Sequence, residues 1–106
     1  MNVKYSMKEK LLLVEMTEEI DHHTTEEIRR KVENEITRHM PRKIIFDFNK
    51  VGFMDSAGIG MIVGRYKTMK MIGGEIELKN VKPSVQKIFE MSGINQIIQI
   101  NDKKIS

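Results

Sequence analysis

The stretch with the most chemical promise is Phe53-Met54-Asp55-Ser56-Ala57-Gly58-Ile59-Gly60. It follows a short apolar run and opens an apolar-periodic segment, the strand-end and helix-start position where sites on α/β sheets gather. A serine there has two uses. Its hydroxyl can cap the helix by accepting from a free first-turn amide. It can also take a phosphoryl group, which brings roughly two negative charges to the positive end of a helix dipole. The helix tolerates that charge, so modification would change the surface without unfolding the domain. Acyl-transfer chemistry fits poorly, because a nucleophile elbow needs Gly two residues before the Ser and Met54 stands there. Asp55 is a chain neighbour of Ser56 rather than a partner acting through a histidine, and nothing in the sequence places His22 or His23 as a base.

The other candidates are weaker. Gly58-Ile59-Gly60-Met61-Ile62-Val63-Gly64 resembles a dinucleotide fingerprint, but its third Gly comes one residue late. Close packing of a helix through Gly60 and Gly64 explains these glycines better, since each costs about 1 kcal/mol against Ala in a helix interior. Asp21-His22-His23 suggests a metal, yet adjacent histidines diverge on a helix and no further ligand is spaced to join them. Arg65, Lys67 and Lys70 read as a basic patch on the helix surface, normally solvated and less often docking an acidic partner.

The elements that must carry these residues follow from periodicity. Val3, Tyr5 and Met7 alternate as a strand, Lys8-Glu9-Lys10 turns, and Leu11–Met16 is a second strand, so the chain opens with a hairpin. A helix starts within Asp21–Thr25. Thr24 with Glu27 fits a capping box, and Asp21 is a rival cap one turn earlier. Ile28, Val32, Ile36 and Met40 form its apolar stripe, and Pro41 stops it. Lys43–Phe48 is a central buried strand, and a second helix begins near Ser56 with Ile59, Ile62, Val63, Tyr66 and Met69 on its apolar face. Gly73-Gly74 ends it, and Glu75–Asn80 is a strand. A third helix starts at Pro83, turns Val85, Ile88 and Phe89 inward and stops at Gly93. Gln96–Ile100 is a last strand before a charged tail expected to fray. The order β-β-α-β-α-β-α-β predicts a single α/β domain with a mixed, mostly parallel sheet of about five strands and helices stacked beside it.

Composition narrows the function classes. At 106 residues there is room for one two-layer core. Absence of Cys removes disulfides, thiolate nucleophiles and Cys-based zinc sites. No apolar run approaches the ~18 residues of a membrane span, so a cytoplasmic protein is expected. The net charge is +3, with the whole excess in the second half. Nucleic-acid modules carry denser basic faces with stacking aromatics. Here aromatics are 6% and the four Phe read as core. The nine Met suit either gap-filling or an adaptable docking surface.

Taken together, Ile20-Asp21-His22-His23-Thr24, the Phe53–Gly60 stretch, Gly64-Arg65-Tyr66-Lys67, Gly73-Gly74-Glu75 and Phe89-Glu90-Met91-Ser92-Gly93 resemble the STAS family along nearly the whole chain, and within it the anti-sigma factor antagonist group. Asp55-Ser56-Ala57-Gly58 marks that group; the Asp-His-His-Thr and Gly-Arg-Tyr-Lys stretches point to its sporulation branch. The resemblance implies a regulatory protein and not an enzyme. Such proteins bind an anti-sigma factor that is also a serine kinase carrying ATP, and so free the sigma factor. The kinase phosphorylates the motif serine, here Ser56, and a serine phosphatase resets the switch. The match implies partner binding through Asp21, His22, Asp55, Ser56, Ala57, Gly58, Ile59, Gly60 and Arg65, with Asp21 beside the serine loop and engaged by the kinase. No cofactor or metal, no nucleic acid and no stable membrane association are expected, and the chain is expected to act as a monomer. A small-ligand or nucleotide-binding domain using Gly58–Gly64 is the alternative. Two departures from the family pattern stand out: Glu18 where Gly is common, and an end soon after Ile100 where relatives carry a further helix, expected here to be short or absent.

Overall fold

The computed structural model describes residues 1–101. Its chain runs β1 (Asn2–Ser6), β2 (Leu11–Glu15), α1 (His22–His39), β3 (Lys43–Asp47), α2 (Ser56–Met71), β4 (Glu75–Lys79), α3 (Pro83–Ser92), a single 3-10 turn (Ile94–Gln96) and β5 (Gln99–Asn101). The order of strands and helices is the predicted one. The five strands lie side by side in chain order; β1 pairs with β2 antiparallel and the remaining pairs are parallel.

Sequential strand order with right-handed crossovers carries every helix over the same face of the sheet. The core agrees. Leu12, Val14, Ile44, Phe46, Ile76 and Leu78, alternate residues of β2, β3 and β4, share one apolar cluster with residues of all three helices: Ile28, Val32 and Ile36 of α1, Met61, Ile62 and Met69 of α2, Val85 and Phe89 of α3. The register puts Lys4, Leu13, Ile45, Glu77 and Gln99 in a row on the other face. There Lys43 sits 2.6 Å from Glu77, whose carboxylate holds the ammonium above the ordinary lysine range.

Helix ends differ from expectation in instructive ways. Asp21, not Thr24, caps α1. Its Oδ1 accepts from the amides of His23 at 2.9 Å and Thr24 at 3.0 Å, while the Thr24 hydroxyl accepts from the Asp21 amide at 2.9 Å. The box thus runs from Asp21 to Thr24, one turn before the Thr24–Glu27 alternative, because a carboxylate reaches two orphan amides where a hydroxyl reaches one. At the other end Met40 leaves the apolar stripe: it adopts a left-handed φ of 47° as the C-cap and is 56% exposed. Glu35 is buried beside the stripe and is ringed by Lys31, Arg38 and His39. Gly93 ends α3 at φ 80°, the conformation glycine adopts without strain. The last strand is shorter than Gln96–Ile100, since the chain first makes the 3-10 turn at Ile94–Gln96. The charged tail and any further helix after it lie outside the described residues.

The glycines of α2 divide sharply. Gly58 is the close-packing glycine: a Cβ there would collide with Met54 Cγ and stand 3.1 Å from Ile20 Cγ2. Gly60 and Gly64, expected to bring the helix close to a neighbour, have nothing within 4 Å of such a Cβ. Opposite effects follow. Gly58→Ala should lower stability by about 1–3 kcal/mol through overpacking. Gly60→Ala should raise it by up to about 1 kcal/mol through helix propensity. Thermal melts of the two variants check both signs, with about 4–8 °C expected per kcal/mol in a domain of this size.

Candidate functional site

The loops that precede α1 and α2 are joined backbone to backbone. Ile20 and Met54 form an isolated parallel bridge, in which the Ile20 amide donates to Phe53 O and the Asp55 amide donates to Ile20 O, each at 3.1 Å. Ile20 and Met54 are both fully buried, so apolar packing holds the bridge from below. The residue after each bridging position is an aspartate, and each caps its helix. Asp21 and Asp55 therefore flank one small surface on which two helix N-termini converge.

Ser56 is the first residue of α2 and lies exposed on that surface. It is not the cap. Asp55 Oδ1 accepts from the Ala57 amide at 2.9 Å, and the Gly58 amide donates to Asp55 O at 3.0 Å. A carboxylate one residue earlier has taken the role expected of the serine hydroxyl, which has no hydrogen-bond partner among the described residues. Two first-turn amides are thereby committed, so an anion on Ser56 would be favoured by the helix dipole more than by free N–H groups. At Asp21 the Thr24 amide, with a second bond from the His23 amide, holds the carboxyl below the ordinary aspartate value. The sign follows: this cap favours the folded state at neutral pH, and its contribution disappears as pH falls through the lowered value.

The other residues singled out in the sequence fall into two groups. His22 and Gly60 are exposed; Asp21, Asp55, Ala57 and Ile59 are half-buried; Gly58 is buried beneath them. The His22 and His23 rings stand edge to face at 5.9 Å. Arg65 is elsewhere. It is 7% exposed and faces α1, with Nε 2.6 Å from Glu33 Oε2, the carboxylate oxygen that also accepts from the Thr68 hydroxyl. Its spacing of nine residues from Ser56 turns it to the far side of α2, toward α1. Arg65 thus joins neither a basic docking patch nor the Ser56 surface. Only Lys67 and Lys70 of that patch are exposed, and Lys70 lies over the Tyr66 ring.

Phe53 is the reverse case. Phe46, Phe48 and Phe89 are buried completely, but Phe53 is 50% exposed, three residues before Ser56. An extended step that turns Met54 inward turns its neighbour outward, and the bridge to Ile20 decides which of the two goes inward. Glu18 sits in a bend without a left-handed φ, so the turn does not demand Gly there.

This surface does not form a nucleotide cradle. The space a phosphate would need at Gly58 is filled by Met54, and the Ala57 amide is already held by Asp55. Pockets of about 80 Å³ and 330 Å³ lie instead beside α1, the first lined by Met16, Thr17 and Ile28 and the second by Arg30, Lys31 and Asn34, and neither is lined by a residue of the serine loop.

The chain is 34% identical to the anti-sigma F factor antagonist of Paenibacillus polymyxa over 108 residues, covering 100% of this chain and 92% of the relative. Among solved structures it is similar to the anti-sigma factor antagonist SpoIIAA in its unphosphorylated form, with a TM-score of 0.83, 28% identity, and 97% of this chain and 89% of the other covered. It also matches the Bacillus cell fate determinant SpoIIAA in the phosphorylated form, with a TM-score of 0.73 and 27% identity over 97% of this chain and 92% of that one. Residues 2–104 match the STAS domain, and the chain belongs to that family.

Proposed function

We propose that this protein is an anti-sigma factor antagonist in which Ser56 is the switch. In its unphosphorylated form it docks on an anti-sigma factor through the surface around Ser56 and so releases a sigma factor, in the setting of sporulation. The anti-sigma factor is also a serine kinase. Using the ATP it carries, it transfers the terminal phosphoryl group to the Ser56 hydroxyl, and the complex weakens. A serine phosphatase removes the phosphate and restores docking. Asp21, His22, Asp55, Ala57, Ile59 and Gly60 form the rest of the docking surface, with Gly58 as the packing residue beneath it.

One observation carries this reading: Ser56 is exposed at the start of a helix whose cap is supplied by Asp55. Its hydroxyl has no structural duty to lose on modification. The antagonist relatives support the reading, and one of them has been solved in a phosphorylated form. The physics of release is simple. Charge added at Ser56 meets the Asp55 carboxylate beside it, and a docking partner would have to desolvate both. A differential penalty of about 3 kcal/mol weakens binding roughly a hundredfold.

Gly60 supports the same surface. It lies one turn from Ser56 on the exposed side of α2, and the fold leaves its Cβ space empty. Its lack of a side chain suits a partner that approaches the helix backbone closely.

Three outcomes test the proposal. Ser56→Ala should bind the anti-sigma factor and accept no phosphate, with stability within about 0.5 kcal/mol of the parent because no cap is lost. Intact-mass analysis after incubation with kinase and ATP decides this, and phosphate still incorporated by the variant would refute the site. Asp21→Asn keeps a capping side chain and removes a charge. It should slow phosphorylation at least tenfold with a melting temperature within a few degrees of the parent. A collapse of stability without a specific kinetic defect would make Asp21 a cap alone. Gly60→Gln should melt at or above the parent temperature yet bind at least tenfold more weakly in calorimetric titration. Unchanged affinity would remove this turn of α2 from the interface.

A further inference from the structure

Phe53 is an aromatic side chain whose exposure the fold imposes. Its carbonyl accepts from the Ile20 amide at 3.1 Å, and the carbonyl of Gly52 before it accepts from the Ser84 hydroxyl of α3 at 3.1 Å. Met54 after it is fully buried in the bridge to Ile20. The backbone is therefore held on both sides of the residue. In an extended step, successive side chains point in opposite directions, so seating Met54 inward sends Phe53 outward. Gly58 completes the seat, since only a missing Cβ leaves room for Met54 Cγ and Sδ. Half of the Phe53 side chain remains in water even though the chain buries its other three phenylalanines completely.

Such a residue has the properties of a binding anchor. Aromatic side chains lose few rotamers on docking and bury much area. Anchors of this kind carry most of the energy of small interfaces when they enter a closed pocket on the partner. A pinned backbone adds to this by lowering the ordering cost of association. Met7, Met71 and Met91 are more exposed than Phe53, but their side chains are flexible and none lies in the serine loop. Phe53 is in that loop, three residues from Ser56.

We infer that Phe53 is the apolar anchor of the Ser56 surface, and that the anti-sigma factor meets it with an apolar pocket adjoining the place where it meets the serine. This rests on the function proposed above. It divides the surface into two parts with different work: Phe53 supplies affinity in either phosphorylation state, and Ser56 supplies the difference between the states.

The test is calorimetric titration of the wild-type chain, Phe53→Ala and Phe53→Leu with purified anti-sigma F factor of Paenibacillus polymyxa, together with thermal melts of each variant. Phe53→Ala should bind about 30-fold more weakly, while Phe53→Leu, which keeps an apolar plug, stays within about fivefold. Both should melt within about 4 °C of the parent, because the position is half in water. Phe53→Ala binding within threefold of wild type overturns the anchor and leaves the proposed function standing. A melting temperature lowered by more than about 8 °C in Phe53→Ala also overturns it, by making the residue structural. A wild-type chain that does not bind overturns the function itself, and the anchor with it.

Discussion

The bridge between Ile20 and Met54 is the constraint on which the site depends. Two hydrogen bonds join loops that are far apart in the sequence, and two fully buried side chains hold those bonds out of water. Backbone bonds so shielded persist, because breaking them would strand polar groups beside an apolar core. From this joint the rest follows in register. One residue on, Asp21 and Asp55 start the two helices; the next residue along the second loop is Ser56. The serine is thus fixed relative to α1 as firmly as to its own helix. Both helices run away from the joint and pack on each other through the pair of buried Arg65 with half-buried Glu33 and the Thr68–Glu33 hydrogen bond, far from the serine.

This arrangement explains why a charge at Ser56 can act without refolding the domain. The sheet side of the loop is closed by Met54 and Gly58, and nothing polar in the core depends on the serine hydroxyl. The positive ends of two helices lie nearby, each already balanced by an aspartate. A phosphate would add to a local excess of negative charge in water, where screening makes that tolerable. The same charge pressed against a partner loses the screening. In the proposed switch the penalty would therefore fall on the complex and not on the fold.

Much of this was legible in the residues. The alternation in Glu75–Asn80, the continuous apolar runs in Leu11–Met16 and Lys43–Phe48 and the four-residue spacing of Ile28, Val32 and Ile36 specify elements whose burial the fold reproduces. The serine loop was visible because it sets two good cap residues, followed by glycines, where a strand ends and a helix begins. What failed were judgements resting on competition between neighbours. Ser56 and Asp55 are both good caps, and spacing alone does not reveal which one the backbone places in the extended conformation. Thr24 and Asp21 pose the same problem. Arg65 was misjudged because a charged residue reads as solvated, whereas its partner Glu33 comes from a different helix and shares no local pattern with it. Phe53 was misjudged because composition assigns aromatics to the core, and only the bridge decides which of Phe53 and Met54 goes inward.

Residues required by the fold separate from residues available to a partner. Gly58, Met54 and Arg65 each have a demand from within the fold: no room for a Cβ, a closed apolar seat, a counter-charge on the neighbouring helix. Gly60, Phe53 and Ser56 have none. Gly60 forgoes helix propensity without gaining contact, Phe53 exposes apolar surface without gaining a hydrogen bond, and Ser56 declines a cap that its side chain could make. Each choice is mildly unfavourable or neutral for the isolated domain. Sequences rarely keep several such choices together on one small surface unless something outside the domain rewards them. The proposed partner, lying close along the start of α2, taking Phe53 into a pocket and reading the charge of Ser56, would supply that reward for all three at once.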